Sequence, residues 1–101
     1  MSATLDPAQC TTMTDVRAGV DEVDQQILAL LQQRFGYMDA AARIKPDRGA
    51  VRDEARKIEV HARVAAEAER LGLPADRLAP VWEELMEQSI AYELERFDER
   101  R

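Results

Sequence analysis

The sequence predicts an all-α protein with three helices per chain, the first of them long, assembled as an intertwined helical homodimer. Three observations carry the helical part of that expectation. The 101 residues are 46% hydrophobic and 34% charged, with only four Gly and four Pro, an Ala/Glu/Leu/Arg-rich balance typical of helical domains. Apolar residues recur at steps of three and four, the period of one helix face. The periodic stretches are broken at Pro46 and at Gly72-Leu73-Pro74, residue types that end helices.

Residues 1–13 have neither a basic start nor a hydrophobic core, so they read as an N-terminal tail and not as a signal peptide. A helical domain follows over residues 14–101. Its first helix opens at Thr14 and Asp15, residues suited to the N-cap and to the positive end of the helix dipole. It runs to Lys45, where Pro46 forbids continuation and Asp47-Arg48-Gly49 makes a turn. The second helix covers Val51 to Leu71, with Val51, Ala55, Ile58, Ala62 and Ala65 as its apolar stripe and Gly72 as its stop. The third runs from Asp76 to Glu99 on a stripe of Leu78, Trp82, Leu85, Met86, Ile90, Leu94 and Phe97. The closing residues from Glu95 to Arg101 mix charges and read as a solvated helix end.

The length of the first helix argues for the dimer. About 31 residues at ~1.5 Å each make a rod of roughly 46 Å. A compact monomer of this size has a radius of gyration of only about 13 Å. The two shorter helices of one chain do not cover such a rod, and a second copy is the simplest cover.

The stripe of that first helix reads Arg17, Val20, Asp24, Ile27, Leu31, Arg34, Met38, Ala41, Lys45. Burying a cation among Leu and Met is costly unless an anion meets it. Arg17, Arg34 and Lys45 therefore call for a negatively charged partner, either carboxylates on neighbouring helices or a bound ligand. Arg34 and Lys45 lie about 16 Å apart along the axis, and Arg17 a further ~25 Å away. Arg17 does not reach that region within its own chain, but in an antiparallel dimer Arg17 of one chain can be carried to the Arg34/Lys45 region of the other, which would give two shared sites.

Ser89 and Glu93, four residues apart, interrupt the apolar stripe of the third helix between Leu85/Met86 and Phe97. Partly apolar surroundings raise a carboxyl's pKa, leaving it either a protonated donor or the partner of a cation. Asp53 and Arg56, at the start of the second helix, are placed to close the mouth of a pocket. Each residue also has a plainer reading: Glu93 a boundary carboxylate, Ser89 a hydroxyl bonded to a backbone carbonyl, Asp53 and Arg56 a solvated first turn. His61 shares its helix with Glu59 and Arg63 and is expected to face water, while Trp82 and Phe35 read as core. One His and one Cys build no zinc site and no Cys–His nucleophile, and a Gly-rich phosphate loop is missing. Cys10 stands alone, which fits a reduced, cytoplasmic setting. The net charge of −6 disfavours nucleic acid and anionic membranes as partners, so the anion sought by the stripe is small and held in a pocket.

Taken in order, Val16-Arg17, Asp21-x-x-Asp24, Leu31-x-x-Arg34, Ala41-x-x-x-Lys45, Arg52-Asp53-x-x-Arg56 and Ser89-x-x-x-Glu93 resemble the all-helical (type II) chorismate mutases and the related isochorismate-pyruvate lyases. The resemblance covers about residues 9–98 and implies the intertwined three-helix dimer. It implies a dicarboxylate substrate, chorismate, rearranged to prephenate in aromatic amino-acid biosynthesis by a pericyclic step without nucleophile or cofactor. By position, Arg17 from the partner chain and Arg34 would each clamp a substrate carboxylate, with Arg56 adding to the clamp. Lys45 and Glu93 would serve the ether oxygen of the breaking bond, Asp53 would accept from the ring hydroxyl, and Ser89 would line the pocket. Two residues depart from the pattern. Many members carry Gln where this chain has Glu93, and some mutases carry Glu where it has Lys57. The short Pro46–Ala50 break and the opening Cys10 to Arg17 look closer to the lyase branch, which makes salicylate and pyruvate, while Ser89 and Asp53 look more mutase-like. A non-catalytic dimeric helical interaction module is the remaining reading.

Overall fold

A computed structural model describes residues 4–101; the first three residues of the expected tail lie outside the described residues. Three helices follow one another, α1 (Met13–Ile44), α2 (Glu54–Arg70) and α3 (Ala75–Glu99), with 3-10 turns at Pro7–Gln9 and Arg48–Ala50. There is no strand among the described residues. The expected all-α, three-helix class is the observed one. The chain divides into two compact units, one ending at Gly36 and one spanning Tyr37–Arg101.

The N-terminal unit opens with a reciprocal cap. Thr12 Oγ1 accepts the Asp15 N–H at 3.1 Å, and the Asp15 carboxylate accepts the N–H groups of Thr11 and Thr12 at 3.1 and 3.2 Å. This is a capping box with Asp at the third helical position. The Thr11 amide is the main cause of an Asp15 carboxyl held below its ordinary range. The cap therefore lies two residues before Thr14, because only a hydroxyl three residues upstream reaches the Asp15 amide. Within this unit the apolar residues Val16, Val20, Val23, Ile27, Leu28 and Leu30 of α1 are all exposed.

In the unit from Tyr37 on, α1 stops at Ile44 as Pro46 requires, and the Lys45 N–H still donates to Ala41 at 2.9 Å. Asp47 then caps the 3-10 turn by accepting the Ala50 N–H at 3.1 Å. Val51, expected to begin the second helix, instead enters the core with Ala42, Ile90 and Phe97, against which Leu94 packs. The helix starts at Glu54 because Asp53 caps it, its Oδ1 accepting the Arg56 N–H at 3.0 Å. At the other end Gly72 adopts φ 73°. Its N–H reaches Glu69 and that of Leu73 reaches Ala68, a Schellman stop that needs the left-handed residue glycine supplies. Asp39 of α1 accepts from Tyr92 (2.9 Å) and Arg96 (2.8 Å) of α3.

The stripe expected on the third helix is the buried or half-buried face of α3. The stripe expected on the second helix is not: Ala55, Ile58, Ala62 and Ala65 are exposed, Ile58 by 71%. The covered face of α2 carries Lys57, Val60, His61, Val64 and Ala68. The expected stripe beyond Val51 held one residue larger than alanine, so turning it outward sacrifices little apolar area, while the observed rotation satisfies a set of charges. Lys57 Nζ lies 2.8 Å from both Glu83 and Glu87. His61 Nε2, expected to face water, lies 3.0 Å from Glu83. Arg52 grips Glu87 with two nitrogens at 2.9 and 3.0 Å and reaches Glu54 at 2.9 Å.

These contacts add a modest, acid-sensitive share to the stability, discounted by their exposure to water. Arg52 first and Lys57 second hold the Glu87 carboxyl at about 2, against an ordinary 4.5. Glu83 is lowered too, by His61 first and then Lys57. A carboxyl depressed in the folded state stabilises it fully above the unfolded value and loses that contribution as pH falls through the folded one. Thermal melts followed by circular dichroism should show the melting temperature declining from pH 4.5 towards pH 2. Glu87→Gln should melt lower at neutral pH and show a shallower decline; an unchanged slope would contradict the assignment.

Candidate active site

The polar residues singled out on the stripes are placed by elements already described. Lys45 follows the last turn of α1, and its Nζ lies 2.7 Å from Glu93 Oε2 on α3. The same nitrogen donates to the Val51 carbonyl at 3.3 Å. Glu93 is 4% exposed, whereas the Lys45 side chain keeps 28% of its surface. A buried carboxylate therefore faces a cation whose side chain is not fully covered. Glu93 Oε2 has no well-aligned hydrogen bond among the described residues, so its short approach to Lys45 is an ion pair with acceptor capacity left over. The sequence left Glu93 either a protonated donor or the partner of a cation; the structure pairs it with Lys45, 48 positions earlier in the chain.

Ser89, one turn before Glu93, is buried and donates to the Leu85 carbonyl at 2.7 Å, its plainer reading. Asp53 and Arg56 are exposed at the mouth of α2. One Asp53 oxygen is committed to the cap, and the Arg56 guanidinium is paired with Glu59 one turn along. Lys57 does not take the place of a substrate-facing Glu here, because its ammonium is spent between Glu83 and Glu87, which push it up to about 12. The structure thus brings Lys45 and Glu93 together with the Val51 carbonyl and sets Ser89 on the same helix face. Arg17, exposed, and Arg34, half-buried, belong to the unit that ends at Gly36.

That unit contains a cavity of about 440 Å³ between the segment from Thr4 to Cys10 and the first turns of α1. It is lined by Leu5, Pro7, Val16, Val20 and Val23, with Glu22 and Asp24 as its charged residues, so it offers no cation to an anionic ligand. None of the expected site residues lines it.

The Arg52–Glu87–Lys57–Glu83–His61 set escaped the sequence reading, which tracked charges inside apolar stripes. Its signal was present as two pairs four residues apart, Lys57/His61 and Glu83/Glu87, of complementary character.

The Lys45–Glu93 pair predicts an asymmetric stability result. Lys45→Met leaves a buried carboxylate without its cation and should destabilise the fold by about 2 kcal/mol in urea unfolding at fixed protein concentration. Adding Glu93→Leu should recover most of that loss. Additive losses in the double variant would mean that the pair is not the relevant contact.

Comparison with known proteins identifies the family. The chain is 27% identical over 95 residues to the isochorismate pyruvate lyase of Pseudomonas aeruginosa, an alignment covering 94% of each protein. The sequence profile of the chorismate mutase type II family matches residues 16–94, a span that runs from the first turn of α1 through Glu93. The chain belongs to the chorismate mutase type II family.

Proposed function

We propose that this protein is a chorismate mutase, rearranging chorismate to prephenate, and that it acts as a homodimer. The observation that carries the reading is Lys45, whose ammonium is held by Glu93 and the Val51 carbonyl and whose side chain keeps part of its surface open. A pericyclic rearrangement asks a protein to hold the reactive conformer and to stabilise charge growing on the ether oxygen. A fixed ammonium meets the second demand without a nucleophile. In this reading Lys45 and Glu93 face the ether oxygen, and Arg34 clamps one substrate carboxylate. Arg17 of the partner subunit clamps the other, supported by Arg56, because guanidinium forks match carboxylates. Asp53 accepts from the ring hydroxyl and Ser89 lines the wall.

The exposed row Val16, Val20, Val23, Ile27, Leu28 and Leu30 supports the dimer, since so much apolar surface along one helix asks for cover. A second reading, isochorismate-pyruvate lyase, is favoured by the Pseudomonas aeruginosa relative of that name. Both reactions use the same dicarboxylate clamp.

Separate incubation with chorismate and with isochorismate decides between them. Prephenate from chorismate supports the mutase. Salicylate with pyruvate from isochorismate, and no prephenate, supports the lyase, and no product from either substrate rejects both. Arg34→Ala should abolish turnover while the circular dichroism spectrum stays that of the parent.

Glu93→Gln tests the other half of the pair. An amide donates to the ether oxygen and carries no charge to repel it, so turnover of the variant should match or exceed the parent's. Loss of turnover in Glu93→Gln would mean that the carboxylate is needed to hold Lys45 and that no donor at this position assists the reaction.

A further inference from the structure

We infer that Arg52 is a positioning residue: its two-pronged bond to Glu87 of α3 fixes Asp53 and Arg56 relative to Ser89 and Glu93. The inference rests on the site proposed above and assigns a role to a residue outside it.

Three consecutive residues tie three helices together. Val51 is buried, and its carbonyl accepts from Lys45 at the end of α1. Arg52 crosses to α3, where two nitrogens meet the two Glu87 oxygens at 2.9 and 3.0 Å. Asp53 caps α2, accepting the Arg56 N–H on its side chain and the Lys57 N–H on its carbonyl. Glu87 lies two residues before Ser89 and six before Glu93 on the same helix. The bond between Arg52 and Glu87 is thus the tie from the Asp53 backbone to the helix that carries the buried half of the site.

The form of the contact suits that task. A planar fork on a carboxylate fixes orientation as well as distance, which a lone ammonium does not. Lys57 meets the same Glu87 oxygen at 2.8 Å and holds the carboxylate from the other side. The Arg52 side chain is 47% exposed, so the bond adds little to global stability. Its consequence is local: without it, the segment that carries Asp53 and Arg56 is held to α3 chiefly at its two ends, by buried Val51 and by Lys57. A displacement of order 1 Å in a binding residue lowers turnover far more than it lowers stability.

The test is steady-state kinetics of the full chain with chorismate and isochorismate, coupled to hydrogen exchange. Arg52→Ala should lower kcat/KM about ten- to hundredfold, with KM rising more than kcat falls, because Asp53 and Arg56 bind rather than react. Its melting temperature should stay within about 3 °C of the parent, as expected for an exposed pair. Arg52→Lys, which keeps the charge and loses the fork, should recover only part of the loss. Combining Arg52→Ala with Glu87→Ala should be no worse than Glu87→Ala alone. The Arg56 and Lys57 amides should exchange several-fold faster in Arg52→Ala, while those in the last turn of α2 keep their protection. Activity within twofold of the parent, multiplied losses in the double variant, or unchanged exchange at Arg56 and Lys57 would each overturn the role. If the parent turns over neither substrate, the proposed function fails, and the exchange result alone still decides whether Arg52 holds this segment.

Discussion

A single ammonium organises the larger unit of this protein. Lys45 Nζ sits between the Glu93 carboxylate and the Val51 carbonyl, and so joins the end of α1, the connection into α2 and the middle of α3. Removing a carboxylate from water is tolerated only when a cation or several donors replace the lost hydration. Glu93 is almost wholly buried, so its position on α3 dictates where Lys45 must be. Val51 is fixed in turn, because its side chain lies in the core with Ala42, Ile90 and Phe97 while its carbonyl faces the lysine. The charged centre and the apolar core of this unit therefore share a residue, and neither can be rearranged alone.

The second set of charges works differently. Arg52, Lys57 and His61 meet Glu83 and Glu87 on partly exposed faces of α2 and α3. Each such pair contributes little in water, and the geometry of the set matters more than its sum. It selects which face of α2 turns towards α3, a choice that apolar area alone leaves nearly balanced on a helix rich in alanine. The rotation sends Ile58 and its alanine neighbours outward.

Much of the fold was legible because its signals are local. Pro46 stops α1 since it lacks an N–H, and Gly72 stops α2 since its left-handed conformation excludes most other residues. The stripe of α3 is legible for a related reason: large side chains from Leu78 to Phe97 leave one face with far more apolar area than any other. Helix starts were less legible. Thr12, Thr14, Asp15 and Asp53 are all capping types, and which of them caps depends on the geometry of one turn. Asp15 and Thr12 form a reciprocal pair, and Asp53 meets the Arg56 amide.

By itself the sequence determined the helical class, the number of helices, where two of them stop, and which residues stand as charged anomalies on apolar faces. Those properties follow from backbone sterics and from periodicity, which act over a few residues. Only the tertiary structure decided that Lys45 and Glu93 neutralise one another, that Val51 belongs to the core, and that Lys57 and His61 face α3. The charge contacts join residues 22 to 48 positions apart, and Val51 meets Ile90 and Phe97, 39 and 46 positions further on. They are settled by a comparison of whole packings, in which desolvating a charge and burying a methyl group compete on equal terms.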